Sequence, residues 1–371
     1  MSSTKICHLT SVHPRYDIRI FHKECKSLSK EGFDVNLIVA DGLGDETKDT
    51  IRIFDVGKSP SGRLVRFTKT VQKVYRKANQ INAKIYHIHD PELLIIASRL
   101  KEKGCIVIFD SHEDVPLQIL SKAYIPSRIR RLISNIFAKL EQRVVSKLDA
   151  VIAATPAILS KFSKINNNSV GVNNFPIIEN HLPLRNWDLK ERAICYVGGI
   201  TESRGIRELI EAINYVDGKL NLAGDYQPAK LRDELTRLKG WGKVEEYGYV
   251  DRIQIQHILN SSRIGMVTLH PNVNYLESLP IKMFEYMIAG LPVICSNFPL
   301  WQKIVEENKC GITVDPLDPK AISEATNYLL NEPNIAYKMG KNGRALIFEK
   351  YNWETESKKL IEMYEELVQQ I

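Results

Sequence analysis

Short runs of aliphatic and β-branched residues alternate along this chain with longer segments in which apolar residues recur every three or four positions. The short runs predict buried β-strands, and the longer segments predict amphipathic helices. The first half contains seven predicted strands: Ile6–Thr10, Val35–Ala40, Ile51–Val56, Ile85–His89, Ile106–Asp110, Ala150–Ala154 and Ser169–Val172. The second half contains six: Ala193–Val197, Leu220–Ala223, Lys243–Tyr247, Ile264–Leu269, Pro292–Cys295 and Gly311–Val314. This repeated strand–helix order indicates parallel sheets covered by helices on both faces.

The strand–helix order starts again near residue 190, after a segment (173–192) that is rich in proline, asparagine and charge. Such a segment predicts a linker between two domains. We therefore expect an N-terminal domain over 1–185, a C-terminal domain over 186–353 and a terminal helix over 354–371 that could pack back on the N-terminal domain. Two doubly wound domains that face each other would form a cleft at the carboxyl ends of their strands, where such sheets bind ligands.

The composition, 44% hydrophobic and 26% charged over 371 residues, is that of an ordinary globular protein and excludes fibrous and disordered classes. No apolar run approaches the roughly 20 residues of a membrane-spanning helix. The first residues lead directly into a strand without the apolar region of a signal peptide, so a cytoplasmic protein is expected. The six cysteines are scattered and are expected to be reduced.

Positive charge is concentrated in the first half of the chain. Residues 1–185 carry 29 lysines and arginines against 18 acidic residues, a net charge of +11, and the remainder carries 22 against 26, a net charge of −4. The excess lies in two stretches, 58–77 and 122–147. It indicates an anionic partner, either phosphate, acidic lipid or nucleic acid. Few aromatic residues accompany the basic ones, so nucleic acid is not expected.

The second basic stretch also contains the clearest helical period of the chain. Its apolar positions are Ile129, Leu132, Ile133, Ile136, Phe137, Leu140 and Val144. An apolar stripe flanked by arginine and lysine is typical of a helix that lies on a membrane surface. The alternative is an ordinary amphipathic helix whose stripe faces the core and whose charges are solvated.

The sharpest group of candidate functional residues lies at 270–293, where a strand and a loop precede a helix that begins near Pro280. Free backbone amides at the start of a helix bind anions, and Lys282 adds a positive charge in the first turn. Glu285, about one turn further, is placed to bind vicinal hydroxyl groups such as those of a ribose. The alternative is that Glu277 and Glu285 are surface charges.

A second candidate is the turn Gly198-Gly199, which follows a predicted strand and precedes Arg204 and a helix. Strand, glycine turn and helix start together form a loop that can approach a phosphate. The turn does not match the G-x-G-x-x-G dinucleotide pattern or the phosphate-binding P-loop. The signal is weak by itself.

Glu277 and Glu285, spaced E-x7-E and followed by the sequence AGLPV, resemble the family 4 glycosyltransferases when the upstream Gly-Gly turn is taken with them. The resemblance covers essentially the whole chain. It implies an α/β protein of the GT-B fold, with two facing Rossmann-like doubly wound parallel-sheet domains and an interdomain cleft. It also implies a retaining enzyme that uses a nucleotide-sugar.

The resemblance assigns roles to residues around the second glutamate. Glu285 matches the residue that binds the nucleotide ribose, and Glu277 matches the one that holds the hydroxyls of the transferred sugar. The loop whose main-chain amides approach the diphosphate and sugar corresponds to Ser278, Leu279 and Pro280.

The expected diphosphate-binding pair is incomplete in this chain. Arg204 matches its first basic residue, which is usually lysine, whereas its usual arginine falls on Gly199. Lys282 could supply the missing charge, alongside the backbone of Gly198 and Gly199.

In the first half, polar residues follow three predicted strands. His112 matches the histidine that contacts the transferred sugar near its anomeric carbon, which makes it a candidate catalytic residue together with Glu277. By position alone, candidate acceptor or sugar contacts are His13, Asp17, Arg19, His89, Asp90 and Glu113.

Some of these residues also offer ligands that zinc accepts. They are His87, His89 and Asp90 with His112, Glu113 and Asp114. The chain has no D-x-D motif, and the resemblance implies an enzyme that needs no metal. Neither a metal nor another cofactor is therefore expected.

The sequence thus predicts a metal-independent hexosyltransferase that moves a sugar from a nucleotide-diphosphate donor, expected to be UDP-linked, to a polysaccharide or lipid-linked glycan. Its expected partners are that donor, the acceptor and an anionic surface at the inner face of a membrane. Two alternatives remain open. One is a UDP-sugar epimerase of the same fold, and the other is a non-catalytic protein that binds nucleotide-sugars.

Overall fold

The computed structural model describes residues 4–58, 66–122, 125–178 and 186–370, except for the side chains of Arg66, Phe67 and Asn274. The chain forms two compact units. Unit 1 comprises Met1–Asn174 together with Trp353–Ile371, and unit 2 comprises Phe175–Asn352. Unit 1 therefore ends inside the predicted linker, before residue 185, and it includes the terminal helix.

Unit 1 is built on a sheet of eight strands in the order β3-β4-β2-β1-β5-β6-β7-β8. The strands are β1 (Lys5–Leu9), β2 (Asp34–Val39), β3 (Glu46–Lys48), β4 (Ile51–Asp55), β5 (Ile85–Ile88), β6 (Ile106–Ser111), β7 (Ala150–Ala153) and β8 (Ser169–Gly171). All neighbouring strands are parallel except β3 and β4. The strand order reverses its direction between β1 and β5, and sheets of this kind bind ligands at that point.

Helices cover both faces of this sheet. The α-helices of unit 1 are α1 (Lys26–Lys30), α2 (Val71–Ile81), α3 (Leu94–Glu102), α4 (Val115–Ser121), α5 (Ser127–Val145), α6 (Pro156–Phe162) and the C-terminal helix (Trp353–Val368). A π-helical segment, Ile18–Cys25, continues directly into α1, and the side chain of Asp17 caps its first amides. A second π-helical segment, Arg66–Thr70, precedes α2, and a 3₁₀ turn, Pro91–Leu93, precedes α3.

The apolar stripe that the sequence shows at 129–144 lies on α5, and most of it faces away from the core. Five of its members are 40–60% exposed: Ile129, Leu132, Ile133, Ile136 and Leu140. Phe137 and Val144 pack against the core of unit 1. A core-facing stripe, one of the two alternatives left by the sequence, is therefore wrong for these five residues.

Unit 2 contains a parallel sheet of six strands in the order β11-β10-β9-β12-β13-β14. The strands are β9 (Ala193–Val197), β10 (Lys219–Ala223), β11 (Val244–Gly248), β12 (Ile264–Val267), β13 (Val293–Ser296) and β14 (Gly311–Val314). Its order is that of a Rossmann fold, with the reversal between β9 and β12.

The helices of unit 2 follow its strands. They are α7 (Ile206–Ile213), α8 (Leu231–Leu235), α9 (Arg252–Ser261), α10 (Val273–Leu276), α11 (Ile281–Ile288), α12 (Pro299–Val305), α13 (Pro319–Asn331) and α14 (Pro333–Glu349). Three 3₁₀ turns, Trp187–Leu189, Glu202–Arg204 and Lys239–Lys243, lie between them and the strands. Pro280 caps α11, so this helix begins where the sequence places it.

All thirteen predicted strands are present, with ends that differ by at most two residues. The strand that the sequence did not predict is β3, a short antiparallel edge strand with the polar sequence Glu-Thr-Lys. The doubly wound α/β class is therefore confirmed for each unit. All six cysteines are unpaired. Within the described ranges, no helix is long and apolar enough to cross a bilayer.

Candidate functional site

The candidate donor site of unit 2 begins at the glycine turn after β9. Gly198 has a φ of +130°, and a Cβ built on it would lie 3.2 Å from Nζ of Lys282. Gly205 begins α7 with a φ of +70°, and its Cβ would lie 1.9 Å from the carbonyl oxygen of Thr268. Only glycine fits both the left-handed backbone and the close approach at residue 205. These glycines let β9, β12 and the start of α11 come close together.

Lys282, in the first turn of α11, is the most unusual charge of this site. Its Nζ is inaccessible to solvent and has no hydrogen-bond partner among the described residues. The ammonium lies 3.9 Å from the ring centroid of Tyr196. Burial, and next the charge of Arg204, lower the pKa of Lys282 to about 7. A buried cation without an anionic hydrogen-bond partner marks a position where an anion would be stabilised.

Arg204 reaches the same turn from the other side. Its Nη1 donates a hydrogen bond of 2.8 Å to the carbonyl oxygen of Gly199. A Cβ at Gly199 would lie 2.8 Å from that same Nη1, so a side chain at 199 would displace Arg204. Glycine at 199 thus makes room for the Arg204 guanidinium.

Ser278, in the loop that precedes α11, is held by hydrogen bonds of its hydroxyl and of its carbonyl oxygen. The Ser278 hydroxyl donates to the carbonyl oxygen of Tyr275 at 3.0 Å, and Nε1 of Trp301 donates to the carbonyl oxygen of Ser278 at 2.7 Å. Glu277 is exposed in this loop, and Glu285 is half-buried on α11. The half-buried residues of the loop that precede α11 are Ser278, Leu279 and Pro280. The donor residues named from the sequence therefore surround one helix start.

In unit 1, the candidate His112 is held by a buried carboxylate. Its Nε2 lies 2.8 Å from Oδ2 of Asp110, at the end of β6. Arg19 donates two further bonds to that carboxylate, both of 2.8 Å. Burial disfavours the ionised form of Asp110 and by itself would raise its pKa. The charges of Arg19 and His112 outweigh this effect and hold the pKa of Asp110 well below the usual value. An ionised Asp110 accepts from Nε2–H of His112 and so leaves Nδ1, on a side chain that is 21% exposed, for a ligand.

Three residues that the sequence suggests as ligand contacts are buried: Arg19, His89 and Asp90. Arg19 is 4% exposed and pairs with Asp110 and with Glu24, whose Oε1 lies 3.0 Å from its Nε. The side chain of His89 is fully buried, with Nδ1 3.3 Å from Asp110. Protein atoms enclose the side chains of Arg19 and His89, so their assignment as ligand contacts is corrected to support of Asp110. The sequence signal for Glu24 is its position on the apolar face that includes Phe21 and Leu28.

His13 lies between two carboxylates next to His112. Its Nδ1 is 3.4 Å from Asp17 and its Nε2 is 3.4 Å from Asp90, while its ring centroid is 5.3 Å from that of His112. Burial opposes protonation of His13, but Asp17 and Asp90 raise its pKa above the usual value. Asp90 is buried and accepts from the Thr10 hydroxyl at 2.8 Å. His13, Asp17 and His112, whose side chains are 29%, 23% and 21% exposed, are therefore the accessible members of this group.

Three of the residues considered from the sequence as possible zinc ligands, Asp90, Glu113 and Asp114, do not join the others in one cluster. Glu113 is exposed and bonded to Gln118, and Asp114 caps α4 through the amide of Leu117. Over the described part of the chain, two groups of potential metal ligands occur: His8, Glu24, His87 and His89 in one, and His89, Asp110 and His112 in the other. Neither group contains Asp90, Glu113 or Asp114.

Two family models match the chain, one in each unit. The model described as Glycosyltransferase Family 4 matches residues 19–169, and the model described as Glycosyl transferases group 1 matches residues 178–346.

Curated relatives match over shorter segments. The chain is 27% identical over 183 residues to an uncharacterized glycosyltransferase of Methanocaldococcus jannaschii, an alignment that covers 47% of this chain and 45% of that protein. It is 27% identical over 199 residues to the alpha-D-kanosaminyltransferase of Streptomyces kanamyceticus, which covers 49% of this chain and 50% of that protein. The chain thus spans about half the length of these relatives.

Solved structures match over nearly the whole length. The sucrose-phosphate synthase of Thermosynechococcus elongatus has a TM-score of 0.79 at 17% identity and covers 99% of this chain and 100% of its own. Anabaena HepE in complex with UDP and glucose has a TM-score of 0.74 at 14% identity, with 98% and 100% covered. These likenesses confirm the GT-B fold class that the sequence predicts.

Proposed function

We propose that this chain, which belongs to the family 4 glycosyltransferases, is a retaining enzyme. It moves a sugar from a nucleotide-diphosphate donor to a polysaccharide or lipid-linked glycan. The observation that carries the proposal is the solvent-inaccessible Nζ of Lys282 beside Arg204 and the Gly198–Gly199 turn. A diphosphate bound there would accept hydrogen bonds from both cations and from free amides at the start of α11. It would also favour the protonated form of Lys282.

The rest of the donor fits around that diphosphate. In this proposal Glu285, one turn after Lys282, binds the ribose hydroxyls, and Glu277 binds the hydroxyls of the transferred sugar. In the loop of Ser278, Leu279 and Pro280, the amide that contributes is that of Leu279, because the Ser278 amide donates to the carbonyl oxygen of Tyr275 and proline has no N–H. The UDP and UDP-glucose complexes of HepE favour uridine as the base.

The proposed transfer builds negative charge on the nucleotide that leaves. When the bond between the sugar and the diphosphate breaks, negative charge grows on the departing nucleotide, and fixed cations and helix amides stabilise that charge more than they stabilise the ground state. Arg204, Lys282 and the N-terminus of α11 supply this stabilisation, so we propose that the transfer needs no metal at the diphosphate. His112, oriented by Asp110, contacts the transferred sugar near its reacting carbon.

The test is a panel of UDP- and GDP-sugars in thermal unfolding. A ligand at 100 times its dissociation constant stabilises the folded chain by about 2.7 kcal/mol, which a melting curve detects. We expect a UDP-sugar to give the largest shift and to be consumed in the presence of a glycan acceptor, with release of UDP. A chain that binds no nucleotide-sugar would contradict the proposal.

The same panel separates the two alternatives. An epimerase would convert the sugar of the bound donor without acceptor and without release of UDP as the main product. A non-catalytic protein would bind the donor without any turnover when glycan and lipid-linked acceptors are supplied. Slow hydrolysis of the donor without acceptor is the behaviour expected of a transferase.

The exposed stripe on α5 supports an additional partner, an anionic membrane surface. Leu117 and Leu120 of α4 are also exposed, by 43% and 40%, and α4 packs against α5. The basic residues Arg128, Arg131 and Arg143 are exposed on the same helix. An apolar strip flanked by arginines complements a bilayer that carries negative headgroups. We propose that this face of unit 1 docks on the cytoplasmic leaflet, where lipid-linked acceptors would be available.

Part of the other basic stretch, 58–77, which includes Arg63, lies outside the described residues.

We expect the chain to bind vesicles that contain anionic lipid, and to bind less as salt is added. Because each basic residue near such a surface contributes about 1 kcal/mol, replacing Arg128, Arg130 and Arg131 by glutamine is expected to weaken the binding more than tenfold. Co-sedimentation with vesicles measures the effect.

The matched control removes the same charge from exposed positions of unit 2, through glutamine at Lys230, Arg237 and Lys239. This control variant is expected to bind vesicles as well as the natural chain does. Equal binding to neutral and anionic vesicles at low salt, or equal loss in both triple variants, would contradict a docking role for α5.

A further inference from the structure

None of the four fully buried side chains of a cluster in unit 1 is proposed to contact the donor or the acceptor. His8 lies on β1 directly opposite His87 on β5, and His89 follows two residues later on the same face of that strand. Glu24 reaches them from the π-helical segment. Each of the four offers one potential ligand atom, and these atoms all lie within 4.8 Å of one another.

The inner atoms of this cluster converge. Nδ1 of His8 is 2.9 Å from Nε2 of His89, and Oε2 of Glu24 lies 3.9 Å from the first and 3.8 Å from the second. Nε2 of His87 and Oε2 of Glu24 are buried, and neither has a hydrogen-bond partner among the described residues. Two potential ligand atoms thus remain unsatisfied in a fully buried place, which is costly unless something binds there.

The outer nitrogens of the three histidines are all engaged. Nδ1 of His89 lies 3.3 Å from the carboxylate of Asp110, and Nδ1 of His87 lies 2.8 Å from the hydroxyl of Tyr364. Nε2 of His8 is 3.5 Å from the same hydroxyl. The inner nitrogens of His8 and His89 share a hydrogen bond, whose proton a bound cation would displace. With the protons on the outer nitrogens, each inner nitrogen then presents a lone pair. This is the arrangement in which protein histidines bind a metal ion.

The distances between the ligand atoms favour a divalent cation. Zinc bonds of about 2.0–2.1 Å in a tetrahedral site separate the ligand atoms by roughly 3.4 Å, and the separations of 2.9, 3.8 and 3.9 Å bracket that value. Arg19 pairs with both Glu24 and Asp110, so it holds the Glu24 carboxylate beside the three histidines.

We propose that His8, Glu24, His87 and His89 bind one Zn²⁺ that stabilises unit 1. Imidazole nitrogens are borderline ligands that suit zinc better than magnesium or calcium, and zinc also accepts a carboxylate oxygen. All four residues belong to unit 1 and none is a proposed donor residue, so this inference goes beyond the proposed function and does not depend on it. It departs from the sequence-based expectation of a chain without metal, and His8 and Glu24 were not among the residues considered there as possible zinc ligands.

The test measures metal in the full chain without an affinity tag. Because all four side chains are fully buried, the metal must enter as the chain folds, so the protein is produced in zinc-supplemented medium. We expect about one zinc ion per chain by elemental analysis after gel filtration. The Glu24→Gln and His87→Gln variants are expected to retain less than about a fifth of that amount, and the control His257→Gln, on the exposed surface of α9, all of it.

A second measurement covers variants that fold poorly. The natural chain is unfolded, refolded with Zn²⁺ or with a chelator, and its melting temperature is compared. We expect refolding with zinc to give the higher melting temperature, and Tyr364→Phe, which removes an outer hydrogen bond, to weaken zinc affinity about tenfold. A natural chain with less than about a fifth of an equivalent of zinc after refolding with the ion, or with the same melting temperature in both refolding buffers, would overturn the proposal.

Discussion

Replacing His112 or Glu277 by alanine is expected to lower the turnover number by about 100-fold or more and to leave UDP affinity within about twofold, because groups that act only at the reacting sugar stabilise the transition state. His112 is partly exposed and held by Asp110, and Glu277 is exposed, so neither change removes a core side chain. The rate of UDP release from the donor identified by the panel measures turnover, and calorimetry measures UDP binding.

The controls are His257→Ala and Glu307→Ala, which remove the same side chains from exposed positions outside the site. Both are expected to keep the natural turnover number. If His112→Ala or Glu277→Ala also kept it, the residue concerned would have no role at the transferred sugar. A parallel loss of UDP affinity would place the residue at the nucleotide instead.

Glu285→Ala is expected to weaken the binding of UDP itself by about tenfold to a hundredfold. A hydrogen bond to a charged group is worth about 1.5–3 kcal/mol, and the alanine variant would lose the proposed bonds to the ribose. Glu285 also contributes negative charge near Lys282. Its removal leaves both proposed diphosphate cations in place, but it also removes an interaction that raises the pKa of Lys282. The binding of inorganic diphosphate is therefore measured in parallel.

Calorimetry with UDP, and in parallel with inorganic diphosphate, separates those two contributions. We expect Glu285→Ala to lose UDP affinity and to bind diphosphate at least as well as the natural chain. Lys282→Met is expected to bind both UDP and inorganic diphosphate much more weakly, because it removes the cation at the proposed diphosphate position. Unchanged UDP affinity in Glu285→Ala would refute the ribose assignment.

The sequence was sufficient for the strands because each is a buried apolar run of the kind that parallel sheets require. It missed β3 because Glu46–Lys48 has no apolar residue and pairs only with β4 at the sheet edge. It predicted that the candidate donor residues lie around one helix start, because E-x7-E and the Gly-Gly turn depend on local backbone geometry, namely a turn and a helix start. Local geometry is what spacing along the chain describes.

Contacts between segments that are distant along the chain could not be predicted from spacing in the sequence. Arg19 and His89 look like ligand contacts in the sequence because they follow strands, whereas the structure encloses both against Asp110. The sequence likewise did not show that a side chain at residue 199 would occupy the space of the Arg204 guanidinium. Helical spacing also left the orientation of the α5 stripe open, because a helical period does not say which face the rest of the unit covers.

The sequence by itself determined the two doubly wound units, the helix start at Pro280 and the family to which the chain belongs, since these depend on periodicity and on motifs within about twenty residues. The tertiary structure alone decided which charged groups are buried and what each one meets. His8, Glu24 and His87 converge only through the register of β1 on β5 and the packing of the π-helical segment. The physical reason is that burial and pKa depend on every neighbour in space, and most of those neighbours are distant along the chain.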